Sequence, residues 1–251
     1  MGTQAEGNGV TDISAKALEK VDRLRRAANL SPEEWSAERI EAVVKMVAPS
    51  AKNLHEVAMF LGTCQRYQLD PTIGEVWLGQ IRGRPTVMTG RDTYIKIAQR
   101  DQGYAGFDAD VVREKDEFRV ERAGDQIVVH HNKVGFARGK IVGAYAVVYH
   151  RGRHPVYVEK HWDELKHLHG KDVWKDNPSE MILTRALTFG LKLQFNLGGL
   201  YTAADALDEA ETMDTPALME PRPAVPVETG GLSDVDEDAE ARAEDAELAQ
   251  E

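Results

Sequence analysis

The sequence predicts an α+β fold, an antiparallel β-sheet flanked by helices, with helices ahead of it and a disordered acidic tail behind. Three observations carry this prediction. Apolar residues recur at spacings of three and four in the N-terminal stretches. The period switches to two between Glu75 and Lys160 and returns to the helical value after Asn177. From Asp208 to Glu251 there are 15 acids, 2 bases and four prolines, and few large apolar residues, a composition that does not fold on its own.

In chain order, Ile13, Ala17, Val21, Leu24 and Ala28 place a helix over Asp12 to Asn29. Ser31-Pro32-Glu33-Glu34 reads as the start of a second helix, with Ser31 as N-cap, Pro32 at N1 and Glu34 completing a capping box. A third helix runs from Asn53 to Gln68, with Leu54, Val57, Leu61 and Cys64 on one face, and Leu69-Asp70-Pro71 ends it. Glu75 to Ile81 and Thr86 to Thr89 flank Arg82-Gly83-Arg84-Pro85 as a hairpin. A short helix over Arg91 to Asp101 follows. Strands are expected at Asp108–Val112, Glu117–Arg122, Gln126–His130, Lys140–Tyr149 and Pro155–Lys160, and a short helix at Trp162–His169. Asn177-Pro178-Ser179-Glu180 is a second capping box, opening a long helix to about Asn196. These elements divide the chain into an N-terminal helical oligomerisation arm (1–52), a core (53–207) and the tail (208–251).

A chain of 251 residues that is 42% hydrophobic can bury a sizeable core. No apolar run approaches about 18 residues, so no membrane span is expected. Met1 to Thr11 is Gly-rich and lacks the order of a secretory signal. The lone Cys64 rules out an intramolecular disulfide, excludes four-cysteine zinc sites and points to a reducing compartment.

The net charge of −11 is segregated. Without the tail, residues 1–207 hold 27 acids and 29 bases. Gln126 to Val158 has no acid, yet carries Lys133, Arg138, Lys140, Arg151 and Arg153; Met181 to Ala204 is also free of acids. Two acid-free segments, one strand-like and one helical, predict a surface for an anion.

On the long helix, Arg185, Thr188 and Lys192 fall on one side with Thr184 and Met181, opposite Ile182, Ala186, Gly190 and Leu193. No Glu follows Glu180 to form i,i+4 pairs, so cations and hydroxyls at this spacing suit a run of phosphates. Arg151 and Arg153 crown a hairpin tip, where a guanidinium can grip phosphate or stack on a base. Tyr145, Tyr149, Tyr157, Trp162 and Trp174 are interleaved, as single-stranded nucleic acid requires, although each taken singly also suits a core.

Other chemistries find little support. Gly135 to Ile141 is one residue short of a phosphate loop, and Ile141 stands where a hydroxyl must hold magnesium. His161 and His169 lie about two helical turns apart, too far for one ion. No nucleophile with its base and orienter can be read, so neither a catalytic residue nor a cofactor is expected. A metal-dependent nuclease and a scaffold without DNA function stand as the alternatives.

Several motifs then occur in a familiar order. They are Leu69-Asp70-Pro71, Glu75-Val76-Trp77, Gly90-Arg91-Asp92-Thr93-Tyr94 and Ala98-Gln99-Arg100. Val148-Tyr149, His154-Pro155 and Trp162-Asp163-Glu164 follow, then Trp174, Pro178, Met181, Arg185, Ala186 and Lys192, and finally Gly199-Leu200-Tyr201. Over Asn53 to Leu207 the chain resembles the RecT/Redβ family of phage-type single-strand annealing proteins. The resemblance implies an ATP-independent recombinase whose core looks like the eukaryotic Rad52 annealing core, working as a ring or helical filament. It implies single-stranded DNA and annealed duplex as ligands, with a partner exonuclease and a host single-strand-binding protein. It also implies a phage or prophage gene and the cytoplasm of a bacterial host. DNA would be held by Arg185 and Lys192 of the signature helix and by Arg151 and Arg153 of the hairpin. Thr188, Lys133, Arg138, Lys140, Arg82, Arg84 and Arg91 complete the candidate set, with Tyr149, Tyr94 and Trp174 as stacking platforms. Ser179 and Glu180 depart from the basic residues some members place there, and Thr93 replaces a usual Gly.

Overall fold

The structure is a computed structural model that describes residues 15–47, 49–124 and 126–205. The acidic tail lies outside the described residues, as does the start of the first expected helix. The α+β class is as expected, but among the described residues the strands form three small antiparallel sheets rather than one.

Among the described residues three helices come first: α1 (Ala15–Ala27), α2 (Ala37–Val47) and α3 (Leu54–Tyr67). The second helix does not begin at Ser31. Ser31 Oγ accepts from Glu34 N at 3.2 Å, but this closes only a single turn, which ends at the buried Trp35. The working cap is Ser36, whose Oγ accepts from Arg39 N at 3.2 Å. Asn53 caps α3, its Oδ1 accepting from His55 N and Glu56 N at 3.0 and 3.1 Å, a contribution of about 1 kcal/mol. The buried Glu56 accepts from Lys52 N and Gln80 Nε2, both at 2.8 Å, which ties α3 to the first hairpin. Val21, Leu24, Ile40 and Val43 of α1 and α2 join the same apolar core as Phe60 and Leu61 of α3.

Strands β1 (Val76–Ile81) and β2 (Arg84–Thr89) form the expected hairpin, followed by α4 (Arg91–Ala98). The central sheet has the order β3 (Tyr104–Arg113), β6 (Ile141–His150), β7 (Arg153–His161). Strands β4 (Glu117–Ala123) and β5 (Gln126–Asn132) pair only with each other. Phe118, Ile127 and Val129 of this hairpin cover Val112, Tyr145 and Val147, making a second small core on one face of the central sheet. A 3₁₀ segment (Trp162–Leu168) and a short α5 (Asp172–Asp176) lead into α6 (Pro178–Phe195).

Helix α6 lies across the other face of the central sheet. A Cβ on Gly190 would come within 2.9 Å of Val148, so glycine there permits a close helix–sheet approach. The expected capping box at its start is not formed. Asn177 makes no side-chain cap hydrogen bond, and Glu180 pairs with Arg91 instead. After α6 the chain runs beside β2, with Thr89 N donating to Tyr201 O at 2.8 Å and Tyr201 N to Val87 O at 3.0 Å. Among the described residues no helix is long and apolar enough to cross a membrane.

Candidate nucleic-acid interface

Helix α6 is covered on two sides, and this changes the reading of its cationic face. Lys192 Nζ stands 2.8 Å from Asp205 Oδ2 and within 5.4 Å of the ring centres of Tyr94 and Tyr201. Arg185 Nη1 donates to Ala204 O at 3.1 Å. Thr188 is fully buried and donates its hydroxyl to Thr184 O at 2.8 Å, so it presents nothing to a ligand. Leu193, expected in the core, is exposed. The polar strip is closed by α4 and by residues 200–205. The latter are fastened by Thr202 and Asp205 capping each other and by Tyr94 Oη donating to Leu200 O at 2.5 Å.

The β6–β7 tip is exposed and rooted. Arg151 Nη1 donates to Gln102 O at 3.1 Å. Arg153 Nη1 donates to Gln194 O at the C-terminal end of α6 at 2.6 Å, and its Nη2 lies 3.8 Å from Asp101. Asp101 is held below the usual carboxylate range by Gly103 N and, beyond that, by His150 and Arg153.

Folding also brings acids to the acid-free segment. Lys133 pairs with Asp110. Arg138 clamps the fully buried Asp116 carboxylate, with Nε 2.6 Å from Oδ1, Nη2 2.5 Å from Oδ2 and a further bond to Val111 O at 2.8 Å. That clamp is the main reason the Asp116 carboxyl sits well below its ordinary range, against the effect of burial and with help from His131. Arg138 is therefore a loop fastener. Lys140 and Lys115 are exposed and have no side-chain partner among the described residues. Arg82 and Arg84 are exposed at the β1–β2 tip, where Lys52 Nζ donates to Gly83 O at 2.7 Å.

Two of the three expected platforms belong to the core. Tyr94 and Trp174 are fully buried, so neither has a ring face for a base. Tyr149 is half-buried, its hydroxyl donating to Asp108 Oδ2 at 2.8 Å; burial and that carboxylate push the phenol up to about 12. Burial likewise pushes the Cys64 thiol up to about 12, which leaves it inert as a nucleophile.

What the structure does bring together lies around the first turn of α6. Arg91 from α4 pairs with Glu180. Arg113 at the end of β3 donates to Ser179 Oγ at 2.8 Å and to Gly139 O at 3.1 Å, tying the β5–β6 loop to the helix. Lys140 follows in the same loop. Ser179 and Glu180, which replace basic residues of the resemblance, thus hold guanidinium groups supplied by two other elements. Beside them is a groove of about 300 Å³ whose lining includes Trp77, Arg91, Met181 and Thr184 together with the carboxylates of Asp92 and Glu180, both of which pair with Arg91. Trp77 is 42% exposed and offers the aromatic surface that the buried tyrosine and tryptophan do not. Neither Trp77 nor Arg113 stands out as a site residue in the sequence. The signal for Trp77 is strand alternation, since Val76 and Leu78 point inward on either side of it. Arg113 sits at a strand end, where nothing local marks it.

A family model described as RecT family matches residues 33–217. A comparison with curated proteins finds no match to the chain.

Proposed function

The chain belongs to the RecT family of phage-type single-strand annealing proteins of recombination, and on that premise we propose that it binds single-stranded DNA by its phosphates and anneals it to a complement without ATP. The observation that carries this reading is the convergence of Arg91 and Arg113 on Glu180 and Ser179 in the first turn of α6, beside a groove with an exposed tryptophan. Guanidinium and ammonium groups hold phosphates without reading sequence, while an aromatic face stacks any base. A strand gripped by its backbone keeps its base edges free to pair. No covalent bond changes, so no catalytic group or cofactor is required. Strands aligned along a polymer of subunits find register at lower entropic cost, as in any proximity effect.

The exposed tips bearing Arg151, Arg153, Arg82 and Arg84 extend the basic surface. Subunit contacts fall to the N-terminal arm, residues 1–52, whose Leu18 and Met46 are exposed apolar groups on α1 and α2. The annealing core is residues 53–207 and the acidic tail 208–251. An exonuclease that makes single strands and the host single-strand-binding protein are the expected partners, in a bacterial cytoplasm.

Fluorescence anisotropy of labelled single strands in rising salt tests the binding step. Affinity should fall linearly on log–log axes, by about 0.7 per phosphate neutralised. It should also be indifferent to base sequence. Salt-independent binding, or strands cut in the presence of magnesium, would overturn the proposal.

A further inference from the structure

The β5–β6 loop carries an aromatic side chain that no described residue covers. Phe136 is 107% exposed, the highest value among the exposed large apolar residues described. The loop that carries it is fixed at its root. Arg138 is locked onto buried Asp116, and Lys115 N donates to Arg138 O at 3.1 Å. Glu114 N donates to Lys140 O at 3.1 Å, while the Glu114 carboxylate accepts from Lys140 N at 3.1 Å. Arg113 binds Gly139 O from below. Gly135 and Gly139, at φ +66° and +84°, turn the chain on either side of the tip. A ring held in water by a rooted loop forgoes the stabilisation that burial would bring.

Resting on the annealing reading above, we propose that Phe136 is a stacking wedge that inserts between neighbouring bases of the bound strand. Lys115 and Lys140, exposed and without a side-chain partner among the described residues, stand at the loop root, where phosphates on either side of an opened base step would lie. A protein partner is a poorer fit. One ring and the exposed Val134 fall far short of the ~800 Å² per side that a stable interface buries. A single apolar side chain is the size of the wedge that opens one base step. Insertion would divide a stacked strand into short runs and keep it extended, with its pairing edges presented.

The test uses the full chain and oligonucleotides carrying 2-aminopurine at successive positions. With the natural protein, the fluorescence of a subset of positions should rise as stacking is broken. Phe136→Ala should abolish that pattern and weaken single-strand binding about tenfold, the factor corresponding to about 1.4 kcal/mol of lost stacking. Its melting temperature and salt slope should not change, because the ring is fully exposed and uncharged. Phe136→Trp should restore both binding and pattern. An unchanged affinity and fluorescence pattern in Phe136→Ala, with the natural protein binding normally, would overturn the wedge alone. A smaller DNA-free assembly in Phe136→Ala would overturn it in favour of a contact between copies. Failure of the natural protein to bind single strands would remove the annealing reading and the wedge together.

Discussion

Lys192 Nζ lies 2.8 Å from the Asp205 carboxylate, with side-chain exposures of only 21% and 13%. A helical wheel leaves Lys192 on an open face, yet the chain returns after α6 to cover it. Lys192→Gln should therefore lower stability by about 1–3 kcal/mol, the cost of leaving a half-buried charge without its partner. Urea unfolding of the variant checks this. A midpoint equal to that of the natural protein would show that the face is open after all.

Asp116 and Arg138 form the second consequential pair. The Asp116 carboxyl is depressed in the folded state, so it contributes stability above its unfolded value of about 3.9. That contribution is lost as pH falls below about 4 toward the folded value. Asp116→Asn should cost about 3 kcal/mol at neutral pH, since the Arg138 guanidinium is then left mostly buried without its carboxylate. Denaturant unfolding at pH 7 and pH 3 reads both effects. The variant should differ from the natural protein somewhat more at pH 7 than at pH 3, where the depressed carboxyl is still largely ionised in the folded state, and equal differences at both pH values would contradict the account.

Trp77 separates binding from folding. It is 42% exposed on the outward side of β1, so Trp77→Ala should leave the chain folded while costing about 1–3 kcal/mol for the part of the indole that is buried. Single-strand affinity should fall about fivefold to a hundredfold if the indole stacks on a base. Thermal melting paired with anisotropy on the same preparation tests this, and an unchanged affinity would remove Trp77 from the interface.

Much of the fold is legible in the sequence because local rules decide it. The spacing of Leu54, Val57, Leu61 and Cys64 places α3, and the alternation from Val76 to Leu78 fixes which way Trp77 points, whereas Ser31 does not open the helix its capping signal predicts and Asn177 makes no side-chain cap bond. Long-range pairing is not legible in this way. Nothing near Arg138 shows that Asp116 will meet it, nor near Arg91 that Glu180 will. A segment free of acids in sequence is therefore not free of acids in space. Tyr94 and Trp174 look like platforms until the segment after α6 and the neighbouring helices enclose them. Asp205 was readable in part: it ends the acid-free run, and Thr202-Ala203-Ala204-Asp205 has capping spacing.

The tail gives a prediction from charge alone. A segment with 15 acids and 2 bases, tethered to the proposed DNA-binding surface, should compete with DNA at high local concentration. Ending the chain after Leu207 should tighten single-strand binding several-fold at low salt, and the gain should vanish above about 0.15 M. Equal affinities at low salt would assign the tail to solubility or to a partner.

The central claim is annealing, and energy transfer between two complementary labelled oligonucleotides measures it most directly. With magnesium present and ATP absent, the protein should raise the rate of duplex formation well above the spontaneous rate, and both strands should remain full length on a denaturing gel. Duplex formation at the spontaneous rate, or strands shortened during the reaction, would contradict the account.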